Sequence, residues 1–181
     1  MVGALIGTAL VSGCSAKQEA NDTLPTAAAE TTEALPEIGP AHFPVPDEAR
    51  TKDAAGAEAF LRYYLDLIDH QRPLLDGQPL VDLGPTCRTC ARIASNYQEA
   101  AAAGHHYKGG ELTLNDVIEP QLRDDQASLV FGIRQEAVQL VDQTGNVVDP
   151  GLPMSPNLGS GMTLIWSPRA STWLVEGMTL G

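Results

Sequence analysis

The spacing of the apolar residues changes once along this chain, and that change constrains the fold class more than any other feature. From residue 53 to 104 they recur with a helical period, and from 112 onward they alternate as strands do. Ala57, Phe60, Leu61, Tyr64, Leu65 and Ile68 form one stripe of an amphipathic helix, with Glu58, Arg62, Asp66 and Asp69 expected on the solvent side. Thr51 or Asp53 can cap this helix, Pro73 stops it, and Asp76-Gly77-Gln78-Pro79 is expected to turn the chain. A second helix follows Pro85-Thr86 with Thr86 as its N-cap. It puts Cys90, Ile93, Ala94, Tyr97 and Ala101 on one face and ends at Gly104.

The strand region opens after Gly109-Gly110, a pair that suggests a sharp bend, with Leu112 and Leu114 alternating against polar neighbours. Leu129, Phe131 and Ile133 then occupy odd positions, whereas Val138 and Leu140 occupy even ones. This switch predicts one strand with a bulge near 135–137. Residues 143–146 read as a hairpin turn into Val147 and Val148, and the proline-containing stretch 149–160 as a long loop. Two last strands, 162–166 and 172–180, are joined by a turn over 167–170. Helices first and antiparallel strands after them predict an α+β fold: a cone-like curved antiparallel sheet packed by two or three N-terminal helices.

Ahead of this region, residues 2–11 are almost wholly apolar, and Leu10-Val11-Ser12-Gly13-Cys14 resembles the lipobox of bacterial lipoproteins. In those proteins the cysteine receives a diacylglycerol and becomes the first residue of the mature chain. As a helix the apolar run would rise only ~15 Å, against a ~30 Å hydrocarbon core, so it fits a signal peptide and not a spanning helix. No Lys or Arg precedes it, a departure from the basic start of an export signal. The expected organisation is a signal peptide over 1–13, a disordered Pro/Ala/Thr/Glu-rich tether over 14–50, and a single α+β domain over 51–181. The expected location is the extracytoplasmic face of the cell membrane, with lipidated Cys14 as the membrane contact. Acidic residues outnumber basic ones 23 to 11, a net charge of -12, which argues against nucleic acid as a partner.

With Cys14 acylated, Cys87 and Cys90 remain, and in an oxidising compartment they are expected as a structural disulfide. So short a loop restrains little chain entropy, well below the ~3 kcal/mol of a 15-residue loop. A Cys-x-x-Cys opening a helix is also the arrangement of thiol oxidoreductases, although no βαβ pattern surrounds this one. A zinc site needs two further ligands, and His105 and His106 lie at the other end of the helix, ~22 Å away.

In three segments the chain resembles a family of actinobacterial lipoproteins of unknown function. These are 55–64 in the first helix, Cys87-Arg88-Thr89-Cys90, and the closing Trp173-Leu174-Val175-Glu176-Gly177. The resemblance implies a nuclear-transport-factor-2-like fold, similar to that of ketosteroid isomerase, and no assigned reaction. In ketosteroid isomerases a carboxylate base works with an oxyanion hole made of a Tyr and a protonated Asp. This chain offers Tyr63, Tyr64, Asp66, Asp69 and His70 on the first helix, and Glu176 beside Trp173. Only Tyr64 clearly shares the apolar face, so solvated charges and core aromatics are the expected roles. With no Ser-His-Asp order, phosphate loop or metal-spaced carboxylates, no catalytic residue, metal or cofactor is assigned. The expected function is a lipid-anchored binding or interaction domain whose partner is a small apolar ligand or an envelope protein. The alternatives are a ketosteroid-isomerase-like enzyme working in the pocket that a cone-shaped sheet capped by helices leaves, or a thiol redox protein using Cys87 and Cys90. An isolated inward carboxylate facing a Tyr would favour the enzyme.

Overall fold

The computed structural model describes residues 37–181; the expected signal segment, Cys14 and the expected tether up to residue 36 lie outside the described residues. Helix α1 spans Ala54–Gln71, and the Asp53 carboxylate caps it by accepting the Gly56 N–H at 2.7 Å. The predicted stripe is buried along its length, from Ala57 through Phe60, Leu61, Tyr64 and Leu65 to Ile68. Helix α2, Gln78–Asp82, stands where only a turn was expected. Pro79 lies in its first turn, where the missing N–H costs nothing, so a turn signal became a helix start. Helix α3 spans Arg88–Ala103, capped by Cys87 rather than by Thr86, since the Cys87 Sγ accepts the Cys90 N–H at 3.1 Å. It closes at Gly104, as expected.

Seven antiparallel strands follow. Strands β1 (His106–Gly109), β4 (Val138–Val141) and β5 (Val147–Leu152) form a three-stranded sheet in the order β1-β4-β5. Strands β2 (Leu112–Arg123), β3 (Gln126–Gln135), β6 (Ser155–Ser167) and β7 (Thr172–Leu180) form a four-stranded sheet in the order β2-β3-β6-β7. Three helices packed with curved antiparallel sheets make this an α+β fold.

The structure corrects two of the strand expectations. The face switch after Ile133 is not a bulge inside one strand. At Gln135 the chain leaves one sheet, and at Val138 it enters the other. The crossing is held by the Glu136 N–H on the Glu111 carbonyl and the Gly110 N–H on the Ala137 carbonyl, at 2.9 and 3.1 Å. Gly109 and Gly110 bend here at φ 77° and 90°, and a Cβ on Gly109 would stand 2.1 Å from the Ala137 oxygen. Residues 149–160 are not a loop either, but the end of β5 and the start of β6. Pro150 is tolerated because β5 is an edge strand.

The domain also begins earlier than residue 51, because the expected tether is structured over its last part. Phe43 stacks on His70 at 4.7 Å, its carbonyl accepts the Tyr63 hydroxyl at 2.9 Å, and Val45 and Ala49 are buried. A 3₁₀ turn over Asp47–Arg50 then meets the β6–β7 connection. There Arg50 donates to the Ala170 carbonyl at 2.9 Å, and the Thr172 hydroxyl to the Ala49 carbonyl at 3.3 Å.

One core joins these parts. Phe60, Leu61 and Tyr64 of α1 pack with Leu129, Phe131 and Ile133 of β3, Leu164 of β6, and Trp173 and Val175 of β7. The Trp173 indole N–H donates to the Thr51 carbonyl at 2.9 Å, and Gly56 lets that carbonyl pass: a Cβ there would lie 2.1 Å from the same oxygen. Gly56→Ala would gain up to ~1 kcal/mol of helix propensity. It would also displace a backbone carbonyl and threaten a part-buried hydrogen bond, leaving the donor of a buried indole unpaired at a cost of ~1–3 kcal/mol. We expect a net loss of about 1–2 kcal/mol and a lower Tm by thermal melting; a Tm equal to or above the parent's would contradict this account.

Candidate functional site

The middle of the domain is filled. Trp173, Tyr64, Phe60 and Phe131 are all fully or almost fully buried, and the Tyr64 hydroxyl donates to the Leu80 carbonyl at 2.8 Å. Burial pushes the Tyr64 phenol well above its ordinary pKa, so it stays a neutral donor.

Of several surface depressions among the described residues, the one lined by the most apolar and aromatic side chains lies to one side, where the end of α1, the face of α3 and the sheets meet. It is a cleft of ≈ 350 Å³. Ile68, Ile93, Leu112, Val138, Leu152 and Leu180 supply its apolar surface, and Arg72, Arg92, Tyr97, Tyr107 and Asp149 its polar groups. Such a volume falls at the lower end of the roughly 300–1,000 Å³ of small-molecule sites.

Most of these polar groups are already committed. The Tyr97 hydroxyl donates to the Ile68 carbonyl at 3.1 Å, and burial pushes its pKa up to about 12. The Tyr107 ring meets Tyr97 edge-on at 5.7 Å, and its hydroxyl donates to the Asn96 carbonyl at 3.4 Å. Beside them, Asp69 is not turned to solvent as the helical pattern suggested. One of its oxygens pairs with Arg72, and the other accepts the Leu112 N–H at 2.8 Å. Burial raises the Asp69 pKa, opposed first by the Leu112 N–H and then by Arg72. The carboxylate therefore ties α1 to the start of β2. It is inward and close to a tyrosine, but it is not isolated.

The other candidates lie apart from the cleft. The Tyr63 hydroxyl serves the Phe43 carbonyl, and His70 stacks on Phe43. Asp66 is exposed, and Glu176, the one strand carboxylate considered as inward, is exposed and accepts from Gln126 Nε2 at 2.8 Å. Cys87 and Cys90 are bonded as a disulfide with Cα atoms 5.2 Å apart, and both residues are 1 % exposed or less. Among the described residues, no three His, Cys, Asp or Glu side chains come together as a metal site, and no helix is long and apolar enough to cross a membrane. The cleft residues missed by sequence reasoning are Arg72, Arg92 and Tyr107. Among the cleft's polar groups Tyr97 is signalled by its place in the α3 stripe, and Ile68 and Ile93 by theirs in the helical stripes.

The chain matches no family model and no curated protein. Among solved structures it is similar to the intermembrane space region of the chloroplast protein ARC6, at 15% identity and a TM-score of 0.47, over 72% of this chain and 97% of that one. It is also similar to the chain Rd1NTF2_05, at 14% identity and a TM-score of 0.39, over 70% and 96%. Aln2 from a Streptomyces species matches at 12% identity and a TM-score of 0.41, over 72% and 93%. At these levels no residue role, ligand or assembly passes from those proteins to this chain.

Proposed function

We propose that this chain is an extracytoplasmic lipoprotein, anchored through Cys14, whose nuclear-transport-factor-2-like domain binds a small, largely apolar ligand in the lateral cleft. The observation that carries the binding role is the cleft itself: apolar side chains from α1, α3 and four strands converge on it, and its two tyrosines already serve backbone carbonyls. Binding is favoured over turnover because the one inward carboxylate, Asp69, is tied to Arg72 and to the Leu112 N–H. Thiol redox chemistry is disfavoured because an attacking thiolate needs access to a sulfur, and Cys87 and Cys90 belong to the buried core.

A neutral fluorescent probe, N-phenyl-1-naphthylamine, tests this role on the unacylated full-length chain (Cys14→Ser). Saturable single-site binding is expected. It should weaken at least about tenfold in Leu152→Asp, where a charge would enter the apolar lining at ~1.4 kcal/mol or more. Val147→Asp, on the same strand, of similar exposure and outside the cleft, should bind as the parent does. Absence of saturable binding, or equal weakening by both substitutions, would remove the cleft as the site.

A further inference from the structure

We infer that the ligand of this cleft is an amphipathic anion, a single apolar body carrying a carboxylate, sulfonate or similar head, with the head held by Arg92; this rests on the cleft being the binding site. The cleft is chemically uneven. Arg72 is balanced by Asp69, and its guanidinium is largely buried. Arg92 is exposed and has no ion pair or hydrogen bond among the described residues.

Arg92 also stands at a junction. Together with Thr89 it lines both the cleft and an adjoining open depression, which Arg88 completes. Arg88 likewise has no ion pair among the described residues. Two guanidinium groups four residues apart on one helix face, with a hydroxyl between them, suit a multi-oxygen anion, because guanidinium forks match such oxygens in pairs.

The opposing charge in the lining is Asp149. Its carboxylate accepts the Gly151 N–H at 2.8 Å, and it acts electrostatically on Tyr107. Tyr107 reaches α3 at Asn96, one turn beyond Arg92, so the charge of Asp149 is felt at that end of the lining. The cleft is thus polarised along α3, and the apolar surface of Ile68, Ile93, Leu152 and Leu180 receives the body of a ligand whose head lies at the arginines. The chain's net charge of -12 does not cancel this local field, because exposed charges beyond about 8–10 Å are screened at physiological salt.

The matched probe is 1-anilinonaphthalene-8-sulfonate, the same ring system as the neutral amine with a sulfonate added. On the full-length Cys14→Ser chain it should bind about tenfold or more tightly than N-phenyl-1-naphthylamine. Arg92→Gln should remove most of that preference, weakening the sulfonate probe far more than the neutral one, and Arg92→Lys should keep part of it. Leu152→Asp should weaken both probes. Equal affinity of the two probes, with Arg92→Gln indifferent to either, would overturn the anion assignment and leave the cleft standing. Failure of both probes to bind would overturn the cleft itself.

Discussion

Trp173→Ala is expected to bring the domain close to unfolding, with a loss of about 3–5 kcal/mol, as for other large aromatics removed from cores. The side chain is fully buried and meets Trp166 edge-on at 5.3 Å, and its indole N–H holds the Thr51 carbonyl at 2.9 Å. That bond joins the last strand to the entry of the first helix, beside the contacts of Arg50 and Thr172. Truncation would leave a cavity and also release this closure, against a total stability of roughly 5–15 kcal/mol for a domain of this kind. Trp173→Phe separates the two effects. It keeps most of the ring packing, loses the donor, and should cost about 1–3 kcal/mol. Denaturant unfolding followed by the fluorescence of Trp166, the remaining tryptophan in either variant, gives both values. A Trp173→Ala unfolding free energy within about 1 kcal/mol of the parent's would show that strand and helix entry are not coupled through this residue.

That coupling marks the border of what the sequence discloses. The stripe of α1 is legible because its period repeats over many residues, and each repeat points to the same buried face. The packed segment around Phe43 and Val45 is not. Two apolar residues among prolines carry no period, and their burial depends on Tyr63 and His70, some twenty residues later in the chain. The departure at Gln135 shows a second limit. A bulge and a change of sheet both move apolar residues from odd to even positions, so local alternation cannot separate them, and only the pairing of Val138 with Gly109 and Leu152 decides. For β5, proline argued for a loop, and the edge position let the strand form regardless. The cleft was harder to foresee still. Asp69 follows the polar face of its helix by spacing, yet it is claimed by an amide in β2, forty-three residues away. Tyr107 lies on a four-residue strand with too short an alternation to notice.

Cys14→Ala is expected to change where the protein is found rather than whether it folds, since residues 37–181 form their core without it. If Cys14 carries a diacylglyceryl group, two acyl chains hold the protein at about 0.8 kcal/mol per buried CH₂, whereas one chain holds only marginally. Removing the thiol removes the attachment point for both. The apolar run before it, ~15 Å long as a helix, is too short to replace them by spanning the bilayer. Nearly all of the protein should therefore leave the washed membrane fraction, or accumulate as an unprocessed chain, and incorporation of labelled fatty acid should cease. Intact mass of the parent supplies the complementary evidence. It should show a chain beginning at Cys14 with added acyl mass, and a gain of two hydrogens on reduction of the Cys87–Cys90 bond. A mature parent chain that retains Met1, or a Cys14→Ala chain that stays on washed membranes and still takes up label, would overturn the anchor and, with it, the placing of this domain outside the cytoplasm.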